Sequence, residues 1–580
     1  MEKRLLLVFA LTFLLLLAVQ PWLMKHFGKS AAPAQTKEQV QQPAPASVGP
    51  AAPPAAAVAP PVKGVVQAKA ESETVVENDF YRIIFTNRGA QVKSWILKKF
   101  KDDKGRPLEL VNSIGAEKYG YPMSLWTYDE GLRTKLNSAL YVASATGTQR
   151  APASLAFEYS DGSTVVRKNF QFDHSYVVKV ETSTTDKGQP VQAFLAWPAG
   201  FGDQTVPVSY AASKIETQLG DKIQRLDSKK VSGGATLSGP FNWAGAADQY
   251  FAAVFLPDNP EALRLITLHN EIEIPKNLDK PDPADMQKVP VLGAAAGNAS
   301  GPTSGRWFIG PKKVDVVDAI YATPVHGQSS APNLGGLVDF GFFGIIAKPL
   351  FLWLKWTVLD APVKIPNWGW AIVFQTVIIN LALLPLRVSS MKSALKMQKV
   401  QPQVEAIKSR YKNLKMNDPK RTEMNQEIAA LFKKHKVNPA GGCLPLLIQM
   451  PFLFAYYTML GAAIELRQAP WLWIRDLSAP DPLHIMPILI IVSTLVMQMM
   501  TPTAGMDPNQ RRMMNIMMPV MLGIFSWSVA AGLGLYWLLS TVISIIQQWV
   551  MNHTELGKEM QAEQAKRARK KAGTVKAVRS

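Results

Sequence analysis

The chain has 580 residues and a single cysteine, Cys443. One cysteine excludes an internal disulfide and any CxxC metal or redox site. The seven histidines are scattered and form no HExxH, which removes the zincin-type hydrolases. His26-Phe27-Gly28-Lys29-Ser30 ends like a phosphate loop, but the first glycine of that motif would fall at Leu23, so no nucleotide site is read there. Charged residues are scarce, at 18%, and lopsided, with a net charge of +19. That excess predicts acidic partners: anionic lipid headgroups, nucleic acid, or both. Acidic residues are also missing from the interiors of five long apolar runs between Trp368 and Met551. A channel or secondary transporter, the alternative function for such a chain, usually carries Asp or Glu at membrane depth or visible repeats. No GxSxG is present to support a membrane hydrolase.

Apolar residues make up 47% of the chain. Mean hydropathy is only +0.01, the average of a very apolar part and a polar part. MEKR is followed by an apolar run from Leu5 to Met24, long enough to cross the ~30 Å hydrocarbon core. A cleaved signal peptide also starts this way. The length of the run favours an uncleaved anchor over residues 1–27. Residues 28–70 are rich in Ala, Pro and Gln. They cannot bury a core and predict a disordered tether. From 71 to 325, short runs such as YRIIFTN, STVVRKNFQF and QYFAAVFLP alternate between turn residues. They predict one large all-β sandwich domain with no competing amphipathic helix.

The last third is helical in pattern. Phe340–Leu359 is long enough to span, but Lys348 and Lys355 lie seven apart on one face. A charge at the lipid midplane costs at least ~2.5–3.5 kcal/mol, so 338–360 is read as an amphipathic helix lying in the interface. Five stronger spans follow: Trp368–Leu386, Leu444–Ile464, Leu483–Met500, Met513–Ala530 and Leu533–Met551, the last two parted by a tight turn at Ala531-Gly532. Residues 387–441 hold 13 Lys/Arg against 4 Asp/Glu, and 552–580 hold 8 against 3. Arg511 and Arg512 precede the fourth of the five, whereas 465–482 has only Arg467 and Arg475 as basic residues. The positive-inside rule then puts both termini, 387–441 and 501–512 in the cytoplasm. The expected fold is a polytopic α-helical membrane protein with six transmembrane helices, five of them forming a core. A β-sandwich stands on the opposite, periplasmic side.

Several polar residues interrupt those spans. Thr376 and Asn380 are four apart and share a helix face. Arg387 lies seven residues past Asn380, ~10 Å nearer the cytoplasm. Gln375 points ~100° away from Thr376, toward a neighbouring helix. Gln449 is a second amide at depth, and Trp537, Ser540, Ser544, Gln547 and Gln548 form a polar stripe on the last span. An unpaired buried amide costs roughly 2–7 kcal/mol. Interhelical hydrogen bonds worth ~0.6 kcal/mol each are one resolution. A water-filled cavity is the other. Residue types alone leave both open.

Val437–Pro482 reads VNPAGGCLPLLIQMPFLFAYYTMLGAAIELRQAPWLWIRDLSAPDP. NWGWAIVF (367–374), KVQPQVEAIKSRY (399–411), PTAGMDPNQRRMMNIMMPVM (502–521) and GLGLYWLLSTVISIIQQ (532–548) accompany it. In that order these stretches closely resemble the YidC/Oxa1/Alb3 membrane-protein insertases. The long 71–325 region, with YFAAVFLP (250–257) and WFIGPK (307–312), is similar to the periplasmic domain of the Gram-negative YidC type. That domain resembles a galactose-mutarotase-like supersandwich, without residues that argue for sugar binding.

The resemblance implies insertion and folding of inner-membrane proteins, alone or with the Sec translocon (SecYEG, SecDF). It implies no enzyme, no ATP, no metal and no cofactor. It further implies a hydrophilic groove open to cytoplasm and lipid. On that footing Asn380, Thr376, Gln449, Trp537, Ser540, Ser544 and Arg387 are the candidate groove residues. The family usually has an arginine where this chain has Asn380. Arg387 snorkelling from the rim could restore the charge, or hydration and hydrophobic partitioning could suffice. The ~10 Å axial separation favours the second.

The basic segment 388–437 is expected to form a cytoplasmic helical hairpin, with Val400, Val404 and Ile407 facing Ile428, Leu431 and Phe432. With the tail 552–580 it is the expected ribosome contact, and anionic lipid is the other candidate target. Ten of the 22 methionines lie between Met486 and Met521, which fits a pliable substrate surface or lipid-facing packing.

Overall fold

A computed structural model describes residues 64–102, 104–200, 213–276, 282–411, 419–437, 444–500, 508–555, 557–559 and 561–562. The expected anchor, nearly all of the tether and the end of the basic tail lie outside them. The chain divides into two compact units, one ending at Val338 and the other beginning at Asp339.

The first unit is a β-structure of three sheets with eleven, five and five strands. Alternation along Thr164–Phe172 buries every second residue, as the pleat dictates. Phe251–Pro257, in the middle of the large sheet, is buried at every position, so its apolar run is continuous rather than alternating. Four tryptophans, Trp95, Trp197, Trp243 and Trp307, are at most 1% exposed and anchor the core.

The boundaries differ from those read in the sequence. Val65–Val66 pairs with Ser160–Asp161, and Ala68 N–H donates to Leu140 O. Residues 65–70 therefore belong to the β-unit, not to the tether; two valines can complete a sheet edge despite their Pro-rich approach. At the other end the unit runs past 325. Leu334 and Leu337 are fully buried, and Arg225 Nη2 donates to Gly336 O at 2.5 Å. Among the described residues three short helices accompany the strands: α1, Ser113–Tyr119, α2, Glu130–Ser138, and, after the last strand, α3, Val314–Asp318. The first two are fixed by caps, Asn112 on Gly115 N and Asp129 on Leu132 N. They are too short for their periodicity to show.

Inside this unit Lys168 is fully buried, and burial pushes its amine down to about 7. Its Nζ donates to Gly89 O (2.7 Å), Met123 O (2.7 Å) and Ala90 O (3.2 Å). The amine thus ties three backbone carbonyls to one strand.

The second unit comprises α4, Gly344–Leu359, α5, Trp368–Ala382, α6, Leu384–Arg410, and α7, Lys420–Lys434. It continues with α8, Leu444–Ala462, α9, Ile485–Met500, α10, Pro508–Ser526, and α11, Ala531–His553. The helix expected over 338–360 is thus shorter, spanning Gly344–Leu359. Ala347, Leu350, Phe351, Leu354 and Val358 are buried along one face, and Lys348 and Lys355 lie off it. By length and apolarity alone, α11 could cross a membrane. The pair α5 and Leu384–Met397, bent by 46°, is a second candidate, while α9 and Asn515–Ser526 are shorter apolar helices.

The turn before α11 is at Trp527–Ala530, not at Ala531-Gly532. Those two residues open the helix, donating to Ala479 O (2.7 Å) and Leu477 O (2.8 Å). A Cβ on Gly532 would overlap Leu460, so glycine there serves close packing rather than a turn. The basic helices do pair. Met397, Val400 and Val404 of α6 pack with Ile428, Leu431 and Phe432 of α7 and with Val437. At the far end Glu427 takes Arg410 (2.6 Å) and Tyr411 Oη (2.9 Å).

Lys168→Met keeps the apolar stem but leaves three buried carbonyls without that donor. Each such loss costs ~1–3 kcal/mol. Thermal unfolding of the β-unit in the solubilised full-length protein should show a loss of at least about 2 kcal/mol, with the spans of the second unit unaffected.

Candidate functional site

The polar residues at depth are organised by a break in one helix. α5 begins at a capped turn, where Asn367 Oδ1 accepts from Trp370 N at 3.1 Å. It ends at Ala382, and α6 starts two residues on with Pro385 in its first turn. Proline has no N–H to offer the carbonyl four residues back, here that of Leu381. The helix axis turns by 46°. Arg387, on the first turn of α6, reaches back so that Nη2 donates to Asn380 Oδ1 at 3.3 Å. The axial separation made that reach look too long. The bend and the length of the arginine side chain close it.

Asn380 is 2% exposed and fully engaged. Its Nδ2 donates to Thr376 O (2.9 Å) on its own helix and to Ser540 Oγ (3.2 Å) on α11. Gln547 Nε2 donates to the Asn380 carbonyl at 3.4 Å. α5, α6 and α11 therefore meet at one amide. Thr376 and Ser544 are buried beside it but spend their hydroxyls on their own helices, on Ile372 O (2.6 Å) and Ser540 O (2.5 Å). Among the described residues Gln449 and Trp537 are half-buried and take no part in this cluster.

Gln375 has a different role. Its Nε2 donates to Leu350 O of α4 (3.0 Å) and its Oε1 accepts from Tyr456 Oη of α8 (2.5 Å). Tyr456 in turn stacks on Tyr536 of α11, with centroids 4.1 Å apart and planes 14° from parallel. Every polar atom of Gln375 is satisfied by protein, so this amide holds four helices together.

On α9, α10 and α11, four other polar atoms are shielded from solvent and have no partner among the described residues: Thr494 Oγ1 and Gln498 Oε1 on α9, Asn515 Oδ1 on α10, and Gln547 Oε1 on α11. α9 packs against both α10 and α11. At ~1.5 Å per residue, Thr494 and Gln547 lie ~9 Å from the ends of their helices, and Asn515 ~10 Å from the start of its own. All fall in the half of the bundle nearest the basic loops. A buried orphan costs ~1–3 kcal/mol, and a water with other polar partners removes that cost. Sequence reading passed over Thr494, Gln498 and Asn515. The signal was present as two amides in methionine-rich runs, MQMM and RRMMNIMM. Among the described residues no group of His, Cys, Asp or Glu is placed to hold a metal.

The chain thus joins a large β-unit to a helical unit with buried polar groups, and comparison with known proteins shows the class to which such a chain belongs. Residues 360–559 match the 60Kd inner membrane protein family and residues 73–353 match the YidC periplasmic domain. The membrane protein insertase YidC of Cupriavidus necator is 33% identical over 530 residues, covering 89% of each chain. That of Geobacter metallireducens is 32% identical over 554 residues, covering 90% of this chain and 94% of its relative. A solved active YidC insertase with its first transmembrane domain resolved aligns with 85% of this chain and 95% of its own, at 18% identity and a TM-score of 0.33. The chain belongs to the YidC family of membrane protein insertases, inner-membrane proteins with a periplasmic domain and no enzymatic reaction.

Gln375→Leu removes partners from Tyr456 Oη and Leu350 O. The variant should lose about 2 kcal/mol of stability, read as a lower melting temperature of the solubilised protein. Substrate preference among surviving molecules should not change, because no part of Gln375 is left to meet a substrate.

Proposed function

We propose that the chain inserts single-span and small multi-span proteins into the inner membrane through a hydrated groove between α5, α9, α10 and α11, alone or beside the Sec translocon. Six spans, with both termini cytoplasmic, complete this reading. The single observation that supports it most is the set of four solvent-shielded polar atoms on α9, α10 and α11 without partners among the described residues. A bundle built only for rigidity would pair them, as it pairs Gln375. Water in a cavity does the same work and leaves room for the polar part of a substrate.

Arg387 supplies the positive charge of the groove in this reading. The usual family arginine is replaced by Asn380, and Asn380 Oδ1 accepts from the Arg387 guanidinium. Four of its five N–H groups remain for a carboxylate or water. Hydrophobic partitioning drives the substrate helix into lipid, and the guanidinium receives acidic residues ahead of it. Nascent membrane proteins are the clients. The basic hairpin and tail serve ribosomes or anionic lipid through phosphate contacts.

Reconstitution in vesicles with a small single-span substrate tests this reading, scored by protease protection without Sec components. Solute flux in place of insertion would favour a channel or transporter. In a depletion-complementation assay Asn380→Arg should be tolerated. Asn380→Leu, which strips Arg387 of its partner and the groove of an amide, should reduce insertion about tenfold or more, since hydrogen bonds to charged groups are worth ~1.5–3 kcal/mol. Full activity of the leucine variant would overturn the proposal. Arg387→Gln should slow substrates with an acidic leading segment and spare neutral ones.

A further inference from the structure

The groove cation does not sit on the same rigid element as the groove. Asn380 is on α5 and Arg387 is on α6, with the break at Leu383 between them. α6 then runs 27 residues out of the bundle as the first arm of the hairpin. Twelve residues beyond Arg387, ~18 Å along the axis, Lys399 forms an ion pair with Glu559. Glu559 belongs to the segment that follows α11. So one helix, which also packs on α7 and α8, is tied by side-chain bonds close to its start to Asn380 and further out to the C-terminal segment.

The second hold is built, not incidental. α11 ends at His553, and Thr554 stops it: Thr554 N–H donates to Met551 O at 3.1 Å. Thr554 Oγ1 also donates to Met551 O, at 2.6 Å. The described residues that follow, 555, 557–559 and 561–562, are helical again. Lys558 N–H donates to Thr554 O at 2.9 Å, and Gln561 Nε2 donates to Asn552 O at 3.4 Å. Gly557 is buried in this helical stretch, where a Cβ would overlap Met551 O and Asn552. The close approach to the end of α11 therefore needs a residue without a side chain at 557, and the same stretch carries Glu559 to Lys399.

We infer that α6 is a lever and that the Lys399–Glu559 pair is its latch: while the latch is closed, Arg387 is held on Asn380, and when it opens, α6 swings at Leu383 and withdraws the cation from the groove. Both latch side chains are about half exposed, at 48% and 49%. An exposed ion pair is weak, which suits a contact that must open and close during insertion. The functional consequence rests on the groove reading above; the latch itself does not.

The test uses full-length protein in nanodiscs, with Cys443→Ser and spin labels at Ser409→Cys on α6 and Met499→Cys on α9. With the pair intact, the distance distribution should be narrow. Glu559→Lys should broaden it, raising the displaced fraction about two- to fivefold, the factor an exposed pair supplies. The exchange Lys399→Glu with Glu559→Lys should restore the narrow distribution. Gly557→Val, which blocks the close approach to the end of α11 without altering charge, should broaden it as Glu559→Lys does. An unchanged distribution in Glu559→Lys, or no restoration by the exchange, overturns the latch. Insertion of an acidic substrate by Arg387→Gln reads the groove separately: if that variant is indifferent while the distances respond, the latch stands and the charge reading fails.

Discussion

The helical unit depends on one missing hydrogen bond. Pro385 cannot donate to the turn before it, so α5 stops and α6 starts in a new direction, 46° away. An unbroken helix would carry Arg387 down its own axis, ~10 Å from Asn380. The break instead brings the guanidinium within 3.3 Å of the Asn380 amide oxygen. Asn380 then carries the bond across to α11 through Ser540. Three helices meet at a side chain that, taken alone, is costly at membrane depth.

The buried amides divide by how they are satisfied. Gln375 has a carbonyl for its donor and a tyrosine hydroxyl for its acceptor, both from other helices. It is glue in the ordinary sense, and the Tyr456–Tyr536 stack extends its reach. Asn380 is also satisfied, but by a cation and a hydroxyl that a competing ligand could replace. Gln498, Asn515 and Gln547 each keep a buried oxygen that no donor among the described residues reaches. The same residue type thus marks a joint in one place and, in the proposed groove, a hydrated wall in another. The difference lies in the partners, not in depth.

Much of this was legible in the sequence and some was not. The β-unit announced itself through alternation, and the hairpin through Val400 and Val404 facing Ile428, Leu431 and Phe432. The i, i+4 spacing put Thr376 and Asn380 on one face, and the ~100° offset sent Gln375 to other helices. Edges were misread where local composition and tertiary pairing disagree. Val65 and Val66 follow a Pro-rich run yet complete a sheet; α1 and α2 rest on caps that one Asn and one Asp provide. Ala531-Gly532 looked like a turn because glycine favours turns, whereas its role is close approach to Leu460. Arg387 stands among the groove candidates, but its reach to Asn380 is hidden when helical rise is counted through a proline that ends the helix.

A neutral residue at 380 and a charge at 387 are two halves of one arrangement. An arginine at 380 would keep its charge at depth in every state of the protein, and a desolvated charge is expensive unless always paired. Splitting the function relieves that burden. The amide stays behind, satisfied by Thr376 O and Ser540 Oγ, while the charge rides on a helix that leads out of the bundle. Withdrawal then moves the guanidinium toward water, where solvation offsets the lost hydrogen bond. In the proposed lever these two terms oppose each other, and a contact as weak as Lys399–Glu559 is enough to tip it. A charge fixed at 380 has no such balance to tip, and no hold on the hairpin could control it.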